Sequence, residues 1–367
     1  MQRIGIVGIG NISKIYLDNL TGMFGKRVKL TAVMNTTYEK AQKAAADYNV
    51  KAFKTLDEML KSADVDIFLN LTPPKQHYEI ALAAVKAGKH VYNEKPICIK
   101  RKEAAQLLKI AAKKGVRVGA APDTFLGAGI QTCKKLIDDG KIGTPVAVAS
   151  FMMSHGPEDW HPSPHFFYKD GGGPLFDVGP YYLTALVSLL GAVARVSGSA
   201  KISMPARTIT SKQHYGEIIN VEVPTHVAGT LDFASGAVGV LVTSFDVYSH
   251  SLPHIEIYGT EGTLKIPDPN TFGGPVLVRR LREEEWTNVP LINEFSDNSR
   301  GLGITEMAEA IEENRPHRAN GELAFHVLDI MQGIYDASAS GKYYKIRRKY
   351  KFHAMRENWI KELKVVV

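Results

Sequence analysis

Cysteine is nearly absent. Only Cys98 and Cys133 occur in 367 residues, which excludes a disulfide framework and any zinc site built on several thiolates. No apolar run approaches the roughly 20 residues that cross a bilayer, so no membrane partner is expected. The N-terminal MQRIGIVGIG turns to glycine before a long apolar centre forms, so it does not read as a secretory signal, and a cytoplasmic location is expected. No segment repeats at a period of roughly 20 to 50 residues, and none is of low complexity. The basic excess is modest, a formal charge of +7. Part of it lies in KYYKIRRKYK, residues 342–351, which reads as a solvated terminal strand or tail. No nucleic-acid module accompanies it, so nucleic acid is not expected as a partner.

What is present is a globular composition, 44% hydrophobic and 23% charged, on a chain long enough for two domains. The first part alternates short apolar runs with helical patterns. RIGIVGIG from Arg3, VKLTAVMN (28–35), VDIFLNL (65–71), HVYNE from His90 and VRVGAA from Val116 read as strands. Between them, helices are expected from Asn11 to Leu20, with Asn11 or Ser13 near the cap, over 38–49, over 76–88 closed by Gly88, and from Arg101 to Gly115. This predicts an α/β fold with a parallel, doubly wound sheet. Past Asp123 the alternation stops. A helix ending near Gly140 and a strand PVAVASFMMS are expected, then a polar, aromatic loop HGPEDWHPSPHFFYKDGGG. A helix PYYLTALVSLLG and several period-two runs follow, which predict a large, mostly antiparallel open sheet. Two late helices, ITEMAEAIEENRP and ELAFHVLDIMQGIYDASASG, complete the pattern. The domains are expected over 1–122 and 123–367. One broad sheet face needs cover from helices or another subunit, so a homo-oligomer is expected.

Gly8-Ile9-Gly10-Asn11-Ile12-Ser13 lies between the first strand and the first helix. It matches a dinucleotide fingerprint with Ser in place of the third glycine. Gly8 allows a tight turn, and Gly10 lets the backbone approach a pyrophosphate at the helix N-terminus; Asn11 and Ile12 complete the loop. The second strand usually ends in an acid that holds the adenosine ribose; here the residue is Asn35. An acid would repel a 2′-phosphate and Asn does not, so NADP(H) is favoured over NAD(H). Thr36 and Thr37 are hydroxyl donors for it. Lys40 is either a partner for that phosphate or simply an exposed helix lysine. Ligands bind beyond the carboxyl ends of such strands. That edge also supplies Thr72, Pro73, Pro74, Glu94, Lys95, Pro96 and Asp123, and it puts Lys95 where a nicotinamide would lie. Asp177 and Tyr181 are four apart, a spacing that shares one side of a helix, although Gly179 and Pro180 interrupt it. The i, i+4 pair His161 and His165, with Asp159, invites a metal reading. Pro162 and Pro164 oppose a common helical face, and no metal is expected.

GIVGIGNIS, LTPPKQHYEIALAAVKAGKHVYNEKP, GGGPLFDVGPYYL, IYGTEGTLKI and the late MAEAIEENRPHRANGELAFHVLDIMQGIYDASASGK together resemble the Gfo/Idh/MocA family of NAD(P)-dependent oxidoreductases. The resemblance spans nearly the whole chain. It implies a Rossmann domain joined to an α/β domain, assembled as a homodimer or homotetramer, and hydride transfer to or from a sugar, polyol or related cyclic compound. It places the catalytic lysine at Lys95, the substrate-positioning aspartate at Asp177 and the last catalytic position, often His, at Tyr181. A cis Lys95–Pro96 bond is implied, as is a histidine at His77 near the cofactor or the cleft between the domains; a capping or packing role for His77 stays open. The loop DWHPSPHFFY reads as substrate-facing, with Trp160 near the cofactor and His161, His165 or Tyr168 lining the pocket. Burial and a cationic nicotinamide would lower the lysine pKa, so Lys95 and Tyr181 share the proton work. His326 is a lesser candidate of the same kind. Two other functions remain open: redox-assisted glycoside cleavage on a tightly held NAD, and a non-catalytic nucleotide-binding regulator.

Overall fold

The computed structural model describes residues 1–346, so residues 347–351 of the basic run lie outside the described residues. The chain divides into two units. Unit 1 comprises Met1–Asp123 and Asn298–Leu328; unit 2 comprises Thr124–Asp297 and the chain from Asp329 onward. The expected single cut near residue 122 therefore needs correcting, because a late segment returns to the first unit.

Unit 1 carries β1 (Arg3–Val7), β2 (Lys29–Met34), β3 (Lys51–Phe53), β4 (Ile67–Asn70), β5 (His90–Asn93) and β6 (Val118–Ala120), in the order β3-β2-β1-β4-β5-β6. Every neighbouring pair is parallel, the order of a Rossmann sheet. β4 and β6 are buried along their whole length, which is why they read as continuous apolar runs. The helices are α1 (Ser13–Thr21), α2 (Tyr38–Tyr48), α3 (Leu56–Leu60), α4 (His77–Lys86) and α5 (Arg101–Lys114). β3 and α3 were not anticipated, since three and five residues are too few to show a period. α5 ends at Gly115 with φ 66°, the left-handed stop that glycine tolerates. Neither Asn11 nor Ser13 caps α1. Ile12 holds that position without a side-chain bond, because the Ser13 hydroxyl turns back to donate to the Gly10 carbonyl at 2.7 Å. The returning segment contributes the helix Leu302–Glu312.

Unit 2 carries α6 (Ala128–Asp138), β7 (Pro145–Met153), α7 (Gly173–Asp177), α8 (Gly179–Leu190), β8 (Val193–Lys201), β9 (Ala206–Thr208), β10 (Ile218–Asn220), β11 (His226–Phe233), β12 (Val238–Ser244), β13 (Ile255–Gly259), β14 (Gly262–Ile266), β15 (Val276–Arg280), β16 (Thr287–Val289) and β17 (Tyr344–Lys345). Nine strands form one sheet, β16-β15-β14-β13-β7-β12-β11-β8-β17, antiparallel except between β7 and β12. β11 alternates half-buried and buried residues along its length, so one face packs inward and the other is half-exposed. Gly198 and Gly229 keep the inner face low. A Cβ there would lie 2.8 and 3.3 Å from Ile334 of the helix Gly321–Ser340. β9 and β10 form a separate antiparallel pair.

Candidate active site

Unit 1 gathers the cofactor candidates on the carboxyl edge of its sheet. Gly8 follows β1 with φ 100°, and a Cβ there would sit 2.9 Å from the Leu71 carbonyl carbon and the Thr72 nitrogen, so only glycine fits. A Cβ on Gly10 would meet nothing within 4 Å. No side chain caps the start of α1, where the Ser13 N–H donates to the Gly10 carbonyl at 3.1 Å, and a helix N-terminus of this kind favours an anion. Asn11 is exposed and Ile12 half-buried beside it. Together these features fit the pyrophosphate of a dinucleotide. Asn35 is spent on this loop: its Oδ1 accepts from the Ile9 N–H at 2.9 Å, and its Nδ2 donates to the Thr37 carbonyl at 3.1 Å. Thr36 and Lys40 are exposed at the start of α2, and Pro73 is exposed after β4.

Beneath the ends of β4 and β5 lies a polar network with no solvent exposure: Asn70, His77 and Asn93. Asn70 Nδ2 donates to Asn93 Oδ1 at 3.1 Å, and Asn93 Nδ2 donates to the Ile97 carbonyl at 2.8 Å. Thr72 Oγ1 donates to Asn70 Oδ1 at 2.7 Å. His77 opens α4 after a 3₁₀ turn over Pro74–Gln76. Its Nδ1 lies 2.6 Å from the Pro96 carbonyl oxygen and its Nε2 lies 2.7 Å from the Thr72 carbonyl oxygen. Burial pushes its pKa down, with both carbonyls opposing.

Glu94 bridges α1 and the lysine loop. Its Oε1 accepts from the Tyr16 hydroxyl at 2.9 Å and its Oε2 from the Lys95 backbone N–H at 2.7 Å. Tyr16 is fully buried, and burial first, then Glu94, raises its pKa well above the usual phenol range. Lys95 is half-buried, and the Lys95–Pro96 bond is cis, as the resemblance implied. Asp123 needs correcting as a cofactor contact. It is 1% exposed, and its Oδ2 accepts from the Gly301 and Gly303 N–H groups at 3.0 Å each, at the start of the Leu302–Glu312 helix. Burial pushes its pKa up to about 6. His326 is buried as well, and burial lowers its pKa to about 4.

In unit 2, Asp177 ends α7 and Tyr181 lies in the first turn of α8. The two helices meet at Val178, whose carbonyl accepts from the Tyr181 N–H at 3.0 Å. The break expected at Gly179 and Pro180 is therefore a joint between two helices. His161 belongs to the same neighbourhood. Burial lowers its pKa, while the Asp177 charge opposes. Its Nδ1 accepts from Ser163 N at 3.0 Å, and its ring stands edge-on to Trp160 and Phe167. Trp160 is 66% exposed. His165 turns elsewhere: its Nε2 is 3.2 Å from Glu217 Oε2 and its ring meets His214. Tyr168 does not line a pocket. It is fully buried, and its hydroxyl donates to Glu158. Glu158 and Asp246 flank Arg207, which also donates to the His155 and Phe245 carbonyls at 3.0 and 2.8 Å. This buried ion cluster fastens the β9–β10 pair and had no sequence signal, since Arg207 and Glu158 are 49 residues apart. Asn70 and Asn93 did leave one, as amides closing otherwise apolar strands. Among the described residues, no group of three or more His, Cys, Asp or Glu is placed to hold a metal ion. No described helix is long and apolar enough to cross a membrane.

A family model for an oxidoreductase family with an NAD-binding Rossmann fold, GFO_IDH_MocA, matches residues 2–121, and the model for the GFO/IDH/MocA C-terminal domain matches residues 130–265. The chain belongs to the Gfo/Idh/MocA family. It is therefore an oxidoreductase, and its cofactor is a nicotinamide dinucleotide. Among its relatives is 1,5-anhydro-D-fructose reductase from Ensifer adhaerens, 25% identical, covering 93% of this chain and 98% of that one. Another is D-glucoside 3-dehydrogenase from Escherichia coli (strain K12), 27% identical over 92% of this chain and 96% of that one. An NAD-binding oxidoreductase structure from Klebsiella pneumoniae superposes with a TM-score of 0.82 at 23% identity, covering 95% of this chain and 99% of that one; this last likeness speaks to fold alone.

Proposed function

We propose that this family member transfers hydride between NADP(H), or less favourably NAD(H), and a sugar, polyol or related cyclic hydroxy or keto compound. Lys95 carries the reading. It follows β5 on the strand edge that bears the Gly8–Ser13 loop, and Glu94 fixes its backbone N–H. The names of the two relatives support a sugar-like substrate.

The nicotinamide, when bound, supplies or accepts the hydride. The chain's own groups handle the accompanying proton. In oxidation the substrate hydroxyl loses its proton to Lys95 or Tyr181; in reduction the new alkoxide oxygen regains one from them. Asp177 orients the substrate hydroxyls by accepting their hydrogen bonds. Gly8, Gly10, Asn11 and Ile12 hold the pyrophosphate, while Thr36 and Lys40 face the adenosine end. Thr72, Pro73 and Pro74 border the cofactor. Of the loop residues, His161 faces the substrate and Trp160 lies near the cofactor, while Tyr168 and His165 are set aside because they are engaged by Glu158 and by Glu217 and His214. The half-exposed face of the nine-stranded sheet supports a homodimer or homotetramer.

The test is a panel of sugars, sugar lactones, inositols and ketosugars, each assayed with NAD(H) and NADP(H) by nicotinamide absorbance. The expected result is turnover of at least one of these, faster at low cofactor concentration with NADP(H). With a nitrophenyl glycoside as a further substrate, release of its aglycone with no net change in nicotinamide absorbance would instead support redox-assisted cleavage.

A further inference from the structure

The loop bearing Lys95 is held at successive backbone groups. Glu94 N–H donates to the Asn70 carbonyl at 2.8 Å, Lys95 N–H donates to Glu94 Oε2 at 2.7 Å, and the Ile97 carbonyl accepts from Asn93 at 2.8 Å. The Pro96 carbonyl, one residue beyond Lys95, meets His77 at 2.6 Å. The other nitrogen of that ring meets the Thr72 carbonyl, on the turn that follows β4. One side chain thus spans the exits of two adjacent parallel strands.

We infer that His77 is a positioning residue, a pin that sets Lys95 against the Thr72–Pro74 turn. The inference rests on the proposed role of Lys95. His77 touches neither substrate nor cofactor, because it has no solvent exposure. It acts through the two carbonyls. Each ring nitrogen lies within hydrogen-bond distance of a carbonyl oxygen, so a neutral ring donates to one of them and a protonated ring to both. The charged groups acting on it are Glu94 and Lys95 themselves, so the pin and the loop it holds are electrostatically joined. The His77 backbone is also held, since the amides of Asn70 and Asn93 both point to its carbonyl at 3.4 Å. A purely space-filling core residue would need neither ring contact. Replacement by an apolar residue would free the Pro96 and Thr72 carbonyls to turn, and the lysine with them.

The experiment compares wild type, His77→Leu and His77→Gln in two ways. First, the cofactor-free protein is acetylated with a water-soluble succinimidyl ester, and the rate at Lys95 is read against the rate at exposed Lys100 by mass spectrometry. Second, kcat and KM are measured alongside the NADPH dissociation constant. The expected result is an altered Lys95-to-Lys100 ratio in both variants. With it, kcat falls by about 100-fold in His77→Leu, the scale of a misplaced reacting group. The fall is smaller in His77→Gln, and NADPH affinity is nearly unchanged. An unaltered ratio overturns the inference, whether activity holds or whether activity, NADPH affinity and thermal stability fall together. If His77→Leu does not fold, His77→Gln alone decides by the same ratio. Failure of the Lys95 reading is separable. It would show as full activity in Lys95→Met, which the labelling ratio of the His77 variants does not touch.

Discussion

Asn35 shows how one residue reports on a ligand. Its amide bonds to the Ile9 N–H and to the Thr37 carbonyl, so it shapes the glycine loop. The proposed contact for a 2′-phosphate is Lys40, which is exposed in the first turn of α2. An exposed ion pair contributes up to about 1 kcal/mol, so Lys40→Ala should weaken NADPH binding by roughly five-fold and leave NADH nearly unchanged. Fluorescence titration with both nucleotides checks this, and equal losses would remove the phosphate assignment. At this scale the positive φ of Gly8 and the place of Lys95 just past a strand were legible because both depend on local sequence. The fates of Asp123, His165 and Tyr168 depend on partners distant in sequence, namely Gly301 and Gly303, Glu217 and His214, and Glu158, and no local pattern announces them.

Among the elements, the longer ones were readable and several of the shortest were not. β1, β2, β4 and β5 stood out as apolar runs between glycine or proline punctuation. β3, β9, β10 and β16 have three residues each, below the length at which any period can show. The Leu302–Glu312 helix was readable as a helix, but its place in unit 1 was not. Its N-terminus depends on Asp123, and that dependence carries a pH signature. The folded-state pKa of about 6 lies above the ordinary 3.8. The stability it contributes is therefore fully present below about pH 4 and lost as pH rises through about 6. The whole swing is on the order of 3 kcal/mol. Asp123→Asn keeps an acceptor oxygen for both N–H groups and removes the titration. Urea unfolding between pH 4 and 7 should give a flatter stability profile for Asp123→Asn than for wild type, and parallel profiles would contradict the shift.

At the scale of the whole chain, the residues proposed as catalytic fall in both units, Lys95 in unit 1 and Asp177 and Tyr181 in unit 2. That proposal came from the family resemblance, because spacing alone could not relate residues 82 and more positions apart. The alternating burial of β11 leaves one face of the nine-stranded sheet half-exposed, and light scattering should find dimers or tetramers in solution; monomers alone would contradict that assembly. The central claim is that the amine at position 95 moves the proton that accompanies hydride transfer. The most direct measurement is kcat for wild type and Lys95→Met on the best substrate of the panel, with NADPH binding measured in parallel. General acid–base groups contribute about 10²- to 10⁴-fold, so kcat should fall by at least about 100-fold while NADPH still binds; a Lys95→Met protein that turns over at the wild-type rate would contradict it.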